Sequence, residues 1–116
     1  MNLNELIGEA RSQVKEISVA QYIENRFSYE QLIDVREPDE FAAGHLPEAI
    51  NIPRGVIEMQ LCTKPEFNKP NRPMALMCKS GGRSALAVQS LQKLGFNQIV
   101  SIKEGYDGYV RLNQEK

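Results

Sequence analysis

The strongest chemical signal in the chain is a cysteine and an arginine with four residues between them, Cys78-Lys79-Ser80-Gly81-Gly82-Arg83. The apolar run Met74-Ala75-Leu76-Met77 leads into it and reads as a strand buried on both faces of a parallel sheet. A helical pattern follows from Ser84. A thiol at this junction lies at the carboxyl end of a parallel strand, where open α/β folds place ligands. Gly81 and Gly82 permit a tight turn whose successive N–H groups form an anion-binding nest. The helix behind them adds unpaired first-turn N–H groups and the positive end of its dipole. Lys79 and Arg83 add full charges. Each of these favours a thiolate, so Cys78 reads as a nucleophile that needs no neighbouring base. The bland alternative is a buried core cysteine; the Gly-Gly turn and flanking cations weigh against it.

The other candidates are weaker. A cation at a helix N-terminus is unfavourable without an anionic partner, so Arg83 is assigned to the loop or to a bound anion. Lys79 fits a substrate role and a solvated side chain equally well. Asp34 and Arg36 end a strand on the same sheet edge as Cys78. Cys62 has no Cys-x-x-Cys spacing to Cys78 and reads as a bystander in or near a surface helix. Two cysteines and one histidine are too few for a disulfide scaffold or a structural zinc site. A formal net charge of -1 with scattered Lys and Arg gives neither a nucleic-acid footprint nor a polybasic membrane patch. No apolar run is long enough to cross a bilayer and no secretory signal is visible, which predicts a cytoplasmic protein with reduced thiols.

The elements that must position these residues follow from periodicity. Residues 2–14 read as a helix with Leu3, Leu6, Ile7, Ala10 and Val14 on one stripe, expected to pack within the chain. Ile17-Ser18 is a very short strand, and Ser18 caps a helix over residues 19–26. Leu32-Ile33-Asp34-Val35 is a buried strand. Pro38 and its neighbouring acids begin a helix that Gly44 stops. Ala49-Ile50-Asn51-Ile52 is a third extended stretch, residues 55–61 a weaker helix, and residues 64–73, with three prolines, a surface loop. Residues 84–94 are the clearest helix: Ala87, Val88, Leu91 and Leu94 share a face, and Gly95 marks a left-handed stop. Residues 98–102 are the last strand. Short strands alternating with helices predict an α/β sandwich around a mostly parallel sheet of about five strands. No repeat, low-complexity tract or linker divides the 116 residues, so one domain is expected.

At this point a family resemblance becomes specific. Cys78 to Ser84 resembles the active-site loop of the rhodanese family. Leu32-Ile33-Asp34-Val35-Arg36-Glu37 and Gly44-His45-Leu46-Pro47-Glu48-Ala49-Ile50-Asn51-Ile52-Pro53 resemble its two upstream signatures. Residues 91–96 and Glu104-Gly105-Tyr106-Asp107-Gly108 resemble its closing segments. The segments occur in family order, and the resemblance places a rhodanese-like core at about 17–112, with an additional helix before it. The chain departs from the family at Glu48 and Glu104, where glycine is common, and near Tyr109, where a tryptophan is common.

The resemblance implies a three-layer α/β sandwich and sulfur transfer without a cofactor. Cys78 would take sulfane sulfur from a donor such as thiosulfate and hold it as a persulfide. A thiol, on a small molecule or a thioredoxin-like protein, or cyanide would then remove it. Lys79, Ser80, Gly81, Gly82 and Arg83 would line the persulfide, Asp34 and Arg36 would brace the loop, and His45 would sit in a structural turn. Three alternatives stay open. A persulfide carrier would hand sulfur to a partner protein. A phosphatase or arsenate reductase on the same fold would use a similar loop, but with five residues between Cys and Arg rather than four. A non-catalytic module often lacks the cysteine. The leading helix precedes every matched motif and carries no candidate catalytic residue, so it is expected to be dispensable for chemistry.

Overall fold

The computed structural model describes residues 1–114. Asn2 starts the first helix, α1 (Leu3–Gln13), with a reciprocal cap: its side chain accepts from the Glu5 N–H, and the Glu5 carboxylate accepts from the Asn2 N–H. The chain then enters β1 (Glu16–Ile17). Ser18 and Gln21 repeat the same device at α2 (Val19–Glu24). The predicted helix there is shorter than expected, because residues 26–28 tighten into a 3-10 turn. Next come β2 (Gln31–Asp34), α3 (Pro38–Ala42), β3 (Ala49–Asn51) and α4 (Ile57–Thr63).

β4 (Met74–Met77) is buried along its whole length, as its continuous apolar run requires. It delivers the chain to α5 (Gly82–Lys93). That helix ends as predicted, with Gly95 at φ +97°. The Phe96 N–H reaches back to the Leu91 carbonyl and the Gly95 N–H to that of Gln92. Leu94 belongs to this cap rather than to the buried face and is half exposed. β5 (Ile99–Ile102) and α6 (Gly105–Gln114) complete the fold. The sequence reading gave no helix to the last of these, since Gly105 and Gly108 weaken the helical pattern.

Among the described residues all four strand pairings are parallel, in the order β1-β5-β4-β2-β3. Every strand therefore ends at the same edge of the sheet, and β4 lies at its centre. One apolar core packs α4, α5 and Val14 against Ile33, Leu76 and Ile99. The other packs α2, Phe41 of α3 and Tyr106 and Tyr109 of α6 against Leu32, Ala75, Met77 and Val100. The result is the expected three-layer sandwich. No helix among the described residues is long and apolar enough to cross a membrane.

Candidate active site

Cys78 leaves the central strand and is buried, with 1% of its surface exposed. The loop after it folds back so that its N–H groups converge on the sulfur. The Gly81 N–H donates to Sγ at 3.1 Å and the Ser84 N–H at 3.4 Å. Gly81 is at φ +99° and serves as the N-cap of α5. A side chain there would be strained and would overlap the Lys103 carbonyl. The 12-residue α5 points its N-terminus at the sulfur, and its first-turn N–H groups at Gly82 and Arg83 have no intrahelical acceptor.

Two buried hydroxyls lie beneath the sulfur. Ser84 Oγ is 3.5 Å from Sγ and 2.8 Å from Ser101 Oγ, and both serines are fully buried. With Cys78 as the thiol, Ser84 can donate to the Gly81 carbonyl at 3.2 Å. With Cys78 as the thiolate, the Ser84 hydroxyl can rotate to donate to sulfur while Ser101 donates to Ser84. Sequence reasoning missed Ser101. Its signal was a hydroxyl inside the otherwise apolar Ile99-Val100-Ser101-Ile102.

Arg83 does have an anionic partner, as its helix position demanded. Its guanidinium forms two hydrogen bonds, of 2.6 and 3.0 Å, with the Glu40 carboxylate. These bonds hold Arg83 above its ordinary pKa, against the opposing effect of burial. The same pairing, opposed by burial, lowers Glu40 to about 2. Glu40 was not singled out from sequence. It occupies the first turn of α3, and its partner is 43 residues away. The Lys79 and Ser80 side chains are exposed at the loop's outer surface.

Asp34 and Arg36 approach the loop only at one remove. The Arg36 Nε lies 3.0 and 3.1 Å from the two Asp34 carboxylate oxygens, and its Nη2 donates to one of them at 2.8 Å and to the Gly44 carbonyl at 2.8 Å. Burial opposes the Arg36 charge, but the hydrogen bonds and charge of Asp34 outweigh it and raise the guanidinium above its ordinary value. The guanidinium stacks 4.3 Å from the centre of the Tyr106 ring. The Tyr106 N–H donates to the Cys78 carbonyl at 2.8 Å, and the Asp107 N–H to that of Lys79 at 3.0 Å. Gly105, at φ +62°, lets α6 begin this close to the loop.

The remaining residues fall outside the site. His45 stacks on Phe41 at 3.8 Å, with Nδ1 2.9 Å from the Leu46 carbonyl. Cys62 is a free, exposed thiol on α4. Glu48 accepts from the Tyr22 hydroxyl at 2.9 Å and from Arg26, and Glu104 accepts from the Val19 N–H at 2.8 Å. The two glutamates that depart from the family pattern thus each have a hydrogen-bond partner. A cleft of about 480 Å³ lined by Tyr22, Phe27, Tyr29 and Pro47 lies near the amino end of β2, at the opposite edge of the sheet from Cys78.

Comparisons with known proteins agree with this geometry. Residues 18–112 match the family model of the rhodanese-like domain. The chain is 41% identical over 76 residues to YqhL of Bacillus subtilis, an uncharacterised protein, covering 66% of this chain and 57% of YqhL. It spans about half the length of the first curated relatives it matches. A sulfurtransferase of Allochromatium vinosum is 29% identical over 80 residues, covering 69% of this chain and 71% of that protein. Among solved structures, the human single-domain sulfurtransferase TSTD1 superposes with a TM-score of 0.76 at 26% identity, covering 83% of this chain and 95% of that one. RPA3614 of Rhodopseudomonas palustris, described as a possible tyrosine phosphatase, superposes with a TM-score of 0.88 over 97% of this chain and 92% of its own. At 23% identity that likeness carries the fold alone. The order of the motifs, the parallel sheet and the family match agree: the chain belongs to the rhodanese-like domain family.

Proposed function

We propose that the protein is a sulfurtransferase that moves sulfane sulfur through a persulfide on Cys78. The observation that carries this reading is the convergence of the Gly81 and Ser84 N–H groups and the α5 N-terminus on one buried sulfur. The Cys78 thiolate attacks the outer sulfur of thiosulfate, the S–S bond of the donor breaks, and its electron pair leaves with sulfite. Cys78 then carries a persulfide anion. An acceptor thiolate attacks the outer sulfur, becomes a persulfide itself, and returns Cys78 as the thiolate. The first-turn N–H groups of Gly82 and Arg83 are available to the outer sulfur, and Lys79 draws the dianionic donor to the loop.

The arginine weighs against the phosphatase alternative. Arg83 is committed to Glu40 through two hydrogen bonds rather than free to clasp an oxyanion. Four residues between Cys78 and Arg83 also form a tight loop around a single atom. A relative named as a sulfurtransferase and the TSTD1 structure support sulfur as the group transferred.

Intact-mass measurement tests the proposal. Thiosulfate should add one sulfur atom to the protein and cyanide should remove it. Cys78→Ser should take up none, and Cys62→Ser should behave as the parent. Sulfur retained by Cys78→Ser, or cleavage of an aryl phosphate that Cys78→Ser abolishes, would overturn the assignment.

A further inference from the structure

The leading helix does more than cover the fold. α1 runs beside α5, with Ile7 over Gly82, and places Arg11 against the Cys78 loop. The Arg11 Nη2 donates to the Ser80 carbonyl at 2.9 Å, and its Nη1 donates to Glu16 of β1 at 2.8 Å. Glu16 lies on the strand paired with β5, so the guanidinium is fixed from the sheet side. The Ser80–Gly81 peptide is trans, so its carbonyl and its N–H point in opposite directions. Arg11 holds the carbonyl end. The N–H end, that of Gly81, is the group 3.1 Å from Cys78 Sγ.

We infer that Arg11 is a positioning residue for Cys78: by anchoring the Ser80 carbonyl it aims the Gly81 N–H at the sulfur. A cation on the carbonyl also polarises the peptide and strengthens the N–H as a donor. The inference rests on Cys78 being the reactive thiol and replaces the expectation that the helix is dispensable for chemistry. A neutral or shorter residue at position 11 lets the peptide plane rotate, and the thiolate then loses its shortest donor.

The test is the pH profile of Cys78 alkylation by iodoacetamide, in a Cys62→Ser background so that one thiol reports. Arg11→Ala should displace the profile to higher pH and slow alkylation at neutral pH about tenfold, the effect of one hydrogen bond to a charged group. Arg11→Lys keeps the charge but offers one nitrogen for two acceptors, and should fall between Arg11→Ala and the parent. Gln13→Ala removes a different α1 link, to Gln89, and should leave the profile in place. Should Arg11→Ala fail to fold, Arg11→Gln, which is neutral and shorter but keeps a polar side chain, reads the same displacement. A profile for Arg11→Ala, or Arg11→Gln, that superposes on the parent's overturns the inference, as does an equal displacement by Gln13→Ala. The sulfurtransferase reading fails separately, when the parent takes no sulfur from thiosulfate while its alkylation still responds to Arg11.

Discussion

Two ion pairs stand near the carboxyl edge of the sheet, and they are built differently. In Asp34–Arg36 the side chains are 0% and 5% exposed, and the guanidinium also meets the Gly44 carbonyl and the Tyr106 ring. In Glu40–Arg83 they are 30% and 36% exposed, and the pair ties the first turn of α3 to the first turn of α5. Water can replace either partner of the second pair but neither partner of the first. The buried pair is therefore a fixed part of the frame behind the loop. The exposed pair sets the charge that the loop presents.

The largest expected effect comes from breaking the buried pair. Asp34→Ala strands a guanidinium without a carboxylate and should cost about 3–5 kcal/mol of unfolding free energy, read from denaturant midpoints. Replacing Asp34 and Arg36 together by apolar residues of similar volume should cost less than the single change, because no buried charge is left behind. Equal costs would mean that the stranded charge is not what makes the single change expensive. Glu40→Gln should cost about 1 kcal/mol or less, and the difference from the parent should shrink as salt is added. A cost as large as that of Asp34→Ala would erase the distinction between the pairs.

Acid sharpens the comparison further. The Glu40 carboxyl is lowered from its ordinary 4.5 to about 2 in the folded protein. A depressed carboxyl contributes stability that is fully present above its unfolded value and is lost as pH falls through its folded value. The stability difference between the parent and Glu40→Gln should thus be constant above pH 4.5 and fade towards pH 2. A difference that grows on acidification would show that Glu40 is not held by Arg83.

Much of the frame and the centre of the site were legible because they depend on local rules. The apolar run before Cys78, the Gly-Gly turn and the Gly95 stop are each set by neighbouring residues. The partners of those features were not legible. Glu40 is 43 residues from Arg83, Arg11 is 69 from Ser80, and Ser101 is 17 from Ser84. No periodicity connects them, and only the parallel crossovers bring them together. α6 was missed for another reason. Its two glycines, Gly105 and Gly108, are poor helix formers retained for close approach: a Cβ at Gly105 would meet the Cys78 and Lys79 carbonyls, and one at Gly108 the Glu104 side chain. The stripe of α1 was only half right, since Leu3 and Leu6 face outward at 67% and 43% exposure.

The start of α6 has a consequence for motion. Its Tyr106 and Asp107 amides are bonded to the carbonyls of Cys78 and Lys79, so the Cys78 loop and the last helix are latched back to back. Neither can open locally while the latch holds, and they belong to one cooperative unit. Those two amides exchange with solvent only through an opening that also frees the loop, so their exchange rates measure how often the cradle around Cys78 comes apart.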